Sequence, residues 1–270
     1  MVISLVVFNK ALHRPMYFFL TQLTASDIIV TSDVVPNMLH MILNNGSSMS
    51  VPGCITQFFF FGSCEGLECL LLTVMSYDRY LAICNPLRYD SKMTARICQR
   101  FIIISWSISL ALTFIQTVNL SQLDICGSNV IDHFFCDFGP IVELSCSNSF
   151  DSETLEMYLG FPVVVFPFLI IVISYGYILH TILRIQSISG RHKAFSTCSS
   201  HLMVVTMFYG TLSGIYLVPI KQKSISVRKF LSLLYTVVTP LINPIIYCLR
   251  NQDIKTAVMR NLGLLISKRH

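Results

Sequence analysis

A chain of 270 residues with 53% hydrophobic and only 12% charged residues has too little polar surface for a soluble globule, in which about 25% are charged. Its net charge of +5 does not indicate nucleic-acid binding, because the basic residues are scattered between long apolar stretches and form no continuous patch. We therefore expect an all-α membrane protein whose main partner is the lipid bilayer, with no nucleic-acid partner.

A helix needs about 20 mostly apolar residues to cross a bilayer. The first apolar stretch, Met1–Phe8, is too short, and we interpret it as the inner end of a first helix whose beginning is missing. Six later stretches have the required length or nearly so, and each is predicted to be a membrane helix: Met16–Leu43, Ile55–Ile83, Phe101–Val118, Met157–Ile185, Ala194–Val218 and Phe230–Leu249.

Together these stretches predict a heptahelical transmembrane bundle with an incomplete first helix, forming a single domain over residues 1–270. Residues 1–8 are the remnant of the first helix, 124–153 the long second outer loop and 251–270 the cytoplasmic tail. Within the tail, Asn251–Leu265 is predicted to form a short amphipathic helix at the membrane surface.

Charge gives the orientation, because Lys and Arg favour the cytoplasmic side of short loops. Basic residues cluster before the second helix and after the third, fifth and last helices, which places those ends and the C-terminus in the cytoplasm. From Asp124 to Glu156 there are seven acidic residues and no Lys or Arg, as expected outside. One outer connection departs from the pattern and carries Lys221, Lys223, Arg228 and Lys229.

The ten cysteines divide by side of the membrane. Six fall within helices or on the cytoplasmic side and are expected to be free thiols: Cys64, Cys69, Cys84, Cys98, Cys198 and Cys248. Four map to the outer face, where oxidation is permitted: Cys54, Cys126, Cys136 and Cys146. Four cysteines allow three pairings, and a zinc site is disfavoured because no Cys-x-x-Cys spacing occurs.

The end of the third helix, Met75–Tyr89, resembles the extended Asp-Arg-Tyr signature of the vertebrate olfactory (odorant) receptors, a family of rhodopsin-like G-protein-coupled receptors. Ser76 stands where that family usually has Ala. Further blocks carry the resemblance over the whole chain in the expected order: Pro15–Leu20 with Asp27, His133–Asp137, Lys193–Leu202 with Phe208–Thr211, and Pro240–Asn251.

The resemblance implies disulfides from Cys54 to Cys136 and from Cys126 to Cys146. It also implies odorant binding on the outside, coupling to a stimulatory heterotrimeric G protein of the olfactory type, and a place in the plasma membrane of olfactory neuron cilia. The family's N-terminal tail and most of its first helix have no counterpart here, so a truncated, non-signalling receptor product is the alternative.

An arginine inside a membrane helix is costly and usually functional. Asp78 is expected to hold Arg79 in the resting state, and release of Arg79 toward a G protein would be a two-state switch, with Tyr80 completing the motif. The alternative is that the pair only anchors the helix end at the membrane surface.

The exit of the last helix supplies the remaining switch residues. Pro244 interrupts helical hydrogen bonding, and Asn243 can satisfy a freed backbone group. Tyr247 is expected to meet Tyr175 through water in the active state.

Asp27 and Glu68 are two carboxylates at mid-membrane depth without a nearby lysine, so they need a proton or a cation. We expect a shared Na⁺ bound with help from Asn243, with simple protonation as an equal alternative. No other cofactor is expected.

Helical spacing places Phe61, Glu65, Glu68 and Leu72 on the face of Arg79, from which 18, 14, 11 and 7 residues separate them. This face should point into the bundle, where we expect a ligand pocket between the third, fifth, sixth and seventh helices. Its candidate residues are mostly apolar and suit a small volatile molecule: Phe58, Phe61, Gly62, Glu65, Gly160, Val163, Tyr209, Leu212, Ser213, Tyr216 and Thr236. Glu65 is a candidate for recognising an amine, or alternatively a partner for nearby hydroxyls.

Other classes of membrane protein are less consistent with the sequence. A transporter or channel would need paired broken helices or a ring of charges lining a pore. An enzyme would need a metal-ligand cluster or a nucleophile with its base, and neither is evident, so no catalytic residue is expected.

Overall fold

The computed structural model describes residues 2–126, 130–146, 149–216, 225–250, 254–256 and 258–259, apart from a few side chains within these ranges. The described part is an all-α bundle. Its helices are α1 (Val2–Phe8), α2 (Pro15–Leu43), α3 (Val51–Cys84), α4 (Pro86–Lys92), α5 (Ala95–Ser121), α6 (Phe138–Val142), α7 (Ser149–Arg184), α8 (Ile188–Tyr216), α9 (Ile225–Leu233) and α10 (Thr239–Arg250).

The long helices begin earlier than the apolar stretches that predicted them. At the start of α3, the Ser50 hydroxyl accepts a hydrogen bond from the Gly53 amide at 3.2 Å, and Thr94 accepts one from the Ile97 amide at the start of α5. Such polar caps satisfy the first free amides of a helix. The helices therefore extend through polar turns that an apolar pattern does not detect.

Five of the described helical stretches are long and apolar enough to cross a membrane: Pro15–Leu43, Val51–Cys84, Ala95–Ser121, Thr154–Arg184 and Ser226–Tyr247. Only 17% of the most apolar stretch is buried in both the third and the fourth of these, so most of their apolar surface is left to face lipid. The predicted span Ala194–Val218 corresponds to α8, whose described part ends at Tyr216 and is not among these five. It nevertheless packs in the bundle against α3, α7 and α10.

α3 lies at the centre of the bundle and contacts α2, α5, α7 and α8. Small residues allow α5 to approach it closely. The Ser109 hydroxyl donates to the Ser63 carbonyl at 2.5 Å, and a Cβ added to Gly66 would stand only 2.7 Å from the Ser109 hydroxyl. Close contact through small residues is a typical way for membrane helices to associate.

The last span is divided, whereas the apolar pattern predicted one continuous helix over Phe230–Leu249. A π-helical segment, Leu234–Val238, separates α9 from α10. The Thr239 hydroxyl donates to the Leu234 carbonyl at 3.0 Å and so helps to satisfy the widened turn. Hydropathy cannot reveal such an insertion, because the residues stay apolar on either side of it.

The second outer loop is fixed by two disulfides, which join the same cysteines as the resemblance implies. Cys54–Cys136 ties the loop to the outer end of α3, and Cys126–Cys146 closes the loop on itself beside a single β-bridge between Ile125 and Ser145. Five of the six expected free thiols are free, and the Cys248 side chain lies outside the described residues.

Little of the predicted surface helix Asn251–Leu265 falls within the described residues. Residues 254–256 and 258–259 are helical, and Ile254 is buried in the main core. The other positions of that prediction lie outside the described part.

Candidate functional site

The inner end of α3 holds a buried ion pair. Asp78 is fully buried and accepts from Arg79 through Nε at 2.9 Å and through Nη2. The other carboxylate oxygen accepts the Tyr89 hydroxyl of α4 at 2.8 Å. Burial beside Asp78 raises the pKa of Tyr89, so its phenol remains a donor. Both oxygens of Asp78 are thus engaged, one by its own helix and one by the inner loop.

His201 joins three helices next to this pair. It is fully buried in α8, with Nε2 3.1 Å from the Leu72 carbonyl of α3 and Nδ1 2.7 Å from the Tyr175 hydroxyl of α7. Tyr175 is thus engaged by His201, and its meeting with Tyr247 through water in the active state stays a prediction. The buried Tyr247 hydroxyl has no hydrogen-bond partner among the described residues. The ring of Tyr80, the last residue of the Asp-Arg-Tyr motif, packs against Tyr77 and Tyr177.

Asp27, Glu68 and Asn243 come together at the middle of the bundle, as the sequence predicts. The amide nitrogen of Asn243 lies 3.4 Å from an oxygen of each carboxylate. Within the described part, the second oxygen of Asp27 and the amide oxygen of Asn243 have no hydrogen-bond partner. Carboxylate and amide oxygens are hard ligands, so this donor set fits a hard cation such as Na⁺. The described residues contain no cluster of three or more His, Cys, Asp or Glu side chains suited to a metal.

An aromatic group closes the outer half of the bundle. The Phe61 ring makes edge contacts with Phe135 of the outer loop at 4.9 Å and with Tyr235 of the π-helical segment at 5.2 Å between centroids. The Tyr235 hydroxyl donates to Glu65 at 3.5 Å. Glu65 is half-buried. Its carboxyl group, on the predicted inward face of α3, thus has a hydrogen-bond partner in the last span.

The other predicted ligand residues divide into separate groups. Tyr209 and Leu212 are buried in the main core with Val163 beside them, and Phe58 lies in a cluster beneath the outer loop. Thr236 is fully buried and donates to the Ser232 carbonyl, while Gly160 is half-buried and the Tyr216 side chain lies outside the described residues.

Two predicted positions are not placed with the aromatic group. Ser213 is exposed. Gly62 faces α5, where an added Cβ would stand 3.1 Å from Thr113, so its role in the structure is close helix packing.

The described residues also form a groove of about 600 Å³ along one face of α8. It contains none of the predicted ligand residues; its lining is Phe195, Ser199, Leu202, Met203, Thr206, Met207, Gly210 and Thr211. Phe195 is 56% exposed, so this groove opens away from the interior of the bundle and is distinct from the predicted pocket.

Gln57 holds the outer loop in place over the aromatic group. Its side chain is almost fully buried, accepts from the Cys136 amide at 2.9 Å and donates to the Asp33 carbonyl of α2 at 3.0 Å. It thus connects α2, α3 and the loop, directly beside the Cys54–Cys136 disulfide.

Two ion pairs join the same loop to the start of the last span. Lys229 pairs with Asp132, and Arg228 donates to Glu143 at 2.8 Å. The hydrogen bond from Lys229 lowers the pKa of Asp132. Burial, followed by the nearby Lys229, lowers the pKa of His133 to about 4, so this imidazole is uncharged at neutral pH.

Sequence reasoning missed Gln57, Tyr89, His201 and Tyr235. One available signal was the position of Gln57 beside the apolar run Phe58–Phe61, since a buried polar group requires a partner. His201 follows Ser199 and Ser200, so it does not stand out from its neighbours in this way. Tyr89 and Tyr235 carry no such signal, because a tyrosine is equally compatible with simple apolar packing.

Comparison with known proteins gives a consistent result over nearly the whole chain. Residues 1–264 match the family model described as olfactory receptor. Mouse olfactory receptor 5P60 is 47% identical over 264 residues, covering 97% of this chain and 81% of that receptor. Human olfactory receptors 6B2 and 11L1 are 44% and 43% identical, over 97% and 98% of this chain and 84% of each receptor.

Replacing Gln57 with leucine should destabilise the folded chain, because the buried Cys136 amide loses its acceptor at a cost of about 1–3 kcal/mol. We expect the unfolding temperature in detergent to fall by roughly 5 °C. Gln122→Leu is the matched control, because Gln122 is exposed. Equal unfolding temperatures for the two variants would contradict the role given to Gln57.

Proposed function

Because this chain belongs to the olfactory receptor family, we propose that it binds small, mostly apolar volatile molecules within its helix bundle and activates a stimulatory heterotrimeric G protein, which raises cyclic AMP. The observation that carries this proposal is that one helix, α3, carries the proposed ligand residues at its outer half and the proposed switch residue at its inner end. Phe61 and Glu65 lie at its outer half, and Arg79 lies at its inner end. We further propose that the chain resides in the plasma membrane of olfactory neuron cilia with its C-terminus in the cytoplasm.

The inner end is suited to a switch with two arrangements. Arg79 is held by Asp78, which is itself held by Tyr89. A G protein would compete for Arg79 once Asp78 releases it. Asn243, Pro244 and Tyr247 lie in α10, the inner part of the last span. The buried Tyr247 hydroxyl is available to a partner from another helix after a rearrangement.

His201 links this switch to movement of α8. Displacing the inner half of α8 must break the contacts of His201 with Leu72 and with Tyr175. Tyr175 is then free to bond elsewhere, which agrees with the water-mediated contact to Tyr247 expected in the active state.

At the outer half, Phe61, Phe135 and Tyr235 provide an apolar surface that suits a volatile molecule. Glu65 adds one polar contact there. Among the described residues, the carboxyl group of Glu65 accepts one hydrogen bond, a long one from Tyr235 at 3.5 Å. It therefore keeps acceptor capacity for an amine or another hydrogen-bond donor on the ligand.

The cluster of Asp27, Glu68 and Asn243 would bind Na⁺ through its carboxylate and amide oxygens. A cation between these side chains would offset the repulsion of two carboxylates in a bundle interior. It would also hold α2, α3 and α10 in their resting arrangement, so that it stabilises the inactive receptor.

The function is tested by measuring cyclic AMP in cells that display the chain at their surface, across a panel of apolar volatiles such as octanal, limonene and isoamyl acetate. We expect an agonist-driven rise that falls at least tenfold in Arg79→Ala. Arg96→Ala, at an exposed inner position, should respond normally. A response that survives Arg79→Ala would contradict the proposed coupling.

The role of Glu65 is tested by Glu65→Gln, which preserves size but removes charge. We expect the potency of an amine such as isoamylamine to fall about tenfold, the effect of losing a charged hydrogen bond, while isoamyl acetate keeps its potency. Glu156→Gln is the control, since Glu156 already binds Gln116 at 2.8 Å. An unchanged ranking of agonists would remove the recognition role.

The sodium proposal is tested on membranes by replacing Na⁺ with K⁺ at constant ionic strength and measuring ligand-independent G-protein activation. We expect activation to rise about two- to threefold in K⁺, because the resting state loses its cation. Asp27→Asn should lose this sensitivity, whereas Asp90→Asn, at an exposed inner position, should keep it. Equal activity in the two salts would leave protonation as the explanation for the carboxylates.

A further inference from the structure

The basic residues of the last outer connection are an exception to the charge pattern of the chain, and the structure pairs two of them with the acidic loop. Lys229 contacts Asp132, and Arg228 contacts Glu143. These partners come from two separate parts of the second outer loop. Adjacent positions at the start of the last span are therefore fixed to the loop at two points.

The same two segments also converge deeper in the bundle, on Phe61 of α3. Phe135, on the loop segment of Asp132, contacts Phe61, which in turn contacts Tyr235 in the span that begins near Lys229. The loop itself is anchored to α3 by the Cys54–Cys136 disulfide and by Gln57. The loop and the last span are therefore joined by an outer layer of ion pairs and, through Phe61, by an inner layer of aromatic contacts.

We propose that the pairs Lys229–Asp132 and Arg228–Glu143 form a latch that closes the mouth of the ligand site, so that these four residues set how fast a ligand enters and leaves. The proposal rests on the proposed function in that it takes the space around Phe61 and Glu65 to be the odorant site. Because the loop is fixed to α3 on its other side, opening the latch lets the Asp132–Phe135 segment separate from Tyr235 without unfolding the loop.

The exposure of the pairs suits a latch that opens often. The Lys229 and Asp132 side chains are 37% and 63% exposed, and those of Arg228 and Glu143 are 25% and 50% exposed. Exposed pairs are weak and are screened by salt. His133 stays uncharged at neutral pH and adds no cation beside Arg228 and Lys229, so ionic strength is the variable that weakens this latch.

The latch can be tested without any odorant or G protein. Thr236, next to Tyr235 and fully buried, is replaced by cysteine, and its modification from outside is timed on surface-displayed receptor. The probes are two membrane-impermeant methanethiosulfonates, one cationic (trimethylammonium-ethyl) and one anionic (sulfonato-ethyl). Receptor that retains Thr236 gives the background from native thiols.

In this background, Lys229→Gln should accelerate both reagents about two- to fivefold, the range for loss of an exposed ion pair. Lys229→Arg should keep the slow rate, and the exchanged pair Asp132→Lys with Lys229→Asp should restore it. Raising NaCl from 50 to 500 mM should accelerate modification in the intact latch and have little effect in Lys229→Gln.

Either of two results would overturn the latch. One is a rate that neither Lys229→Gln nor salt changes; another is opposite changes for the two reagents, which would reveal only a local charge effect on the probe. If the single variant fails to reach the surface, the salt series on the receptor with an intact latch decides by itself. Failure of the proposed function would appear in the cyclic AMP measurement and leave these labelling rates unchanged.

Discussion

Lipid offers no hydrogen bonds, so each charged group inside the bundle has to be met by another part of the chain. α3 carries Glu65, Glu68 and Arg79 on one face, and each has a polar partner. Tyr235 of the π-helical segment contacts Glu65, and Asn243 of α10 contacts Glu68. Asp78 of α3 itself holds Arg79 and is bonded in turn by Tyr89 of α4. The arrangement of the other helices around α3 follows from these requirements as much as from apolar packing.

This arrangement gives α3 a particular role in transmission. Glu65 and Arg79 are separated by about 21 Å along the helix, at 1.5 Å per residue. A long helix does not compress, so a ligand bound at the proposed outer site would act on Arg79 by shifting α3 against its neighbours. The bond of His201 to the Leu72 carbonyl lies between these two levels, so such a shift would also act on α8.

The sequence predicted those parts of the site whose partners lie close in the chain or within recognisable motifs. Asp78 and Arg79 are adjacent, and the proximity of Asp27, Glu68 and Asn243 follows from the resemblance to a known helix arrangement. The contacts of Gln57 and His201 were not predicted, because periodicity gives the face of a helix but not the neighbour at a given height. The same holds for the exposed position of Ser213 and the packing of Gly62 against Thr113, which depend on how far each helix is rotated.

The π-helical segment Leu234–Val238 has a consequence for the geometry of the last span. Such a turn accommodates one additional residue, and each residue of a helix advances by about 100°. The outer half of this span is therefore rotated about its axis relative to the inner half, by about the angle that separates two faces of a regular helix. This rotation permits Tyr235 to reach Glu65 while Asn243 reaches Asp27 and Glu68. If the additional residue were absorbed into regular α-helix, one half of the span would rotate and translate relative to the other. The span would then keep either the contact of Tyr235 with Glu65 or that of Asn243 with Glu68, but not both.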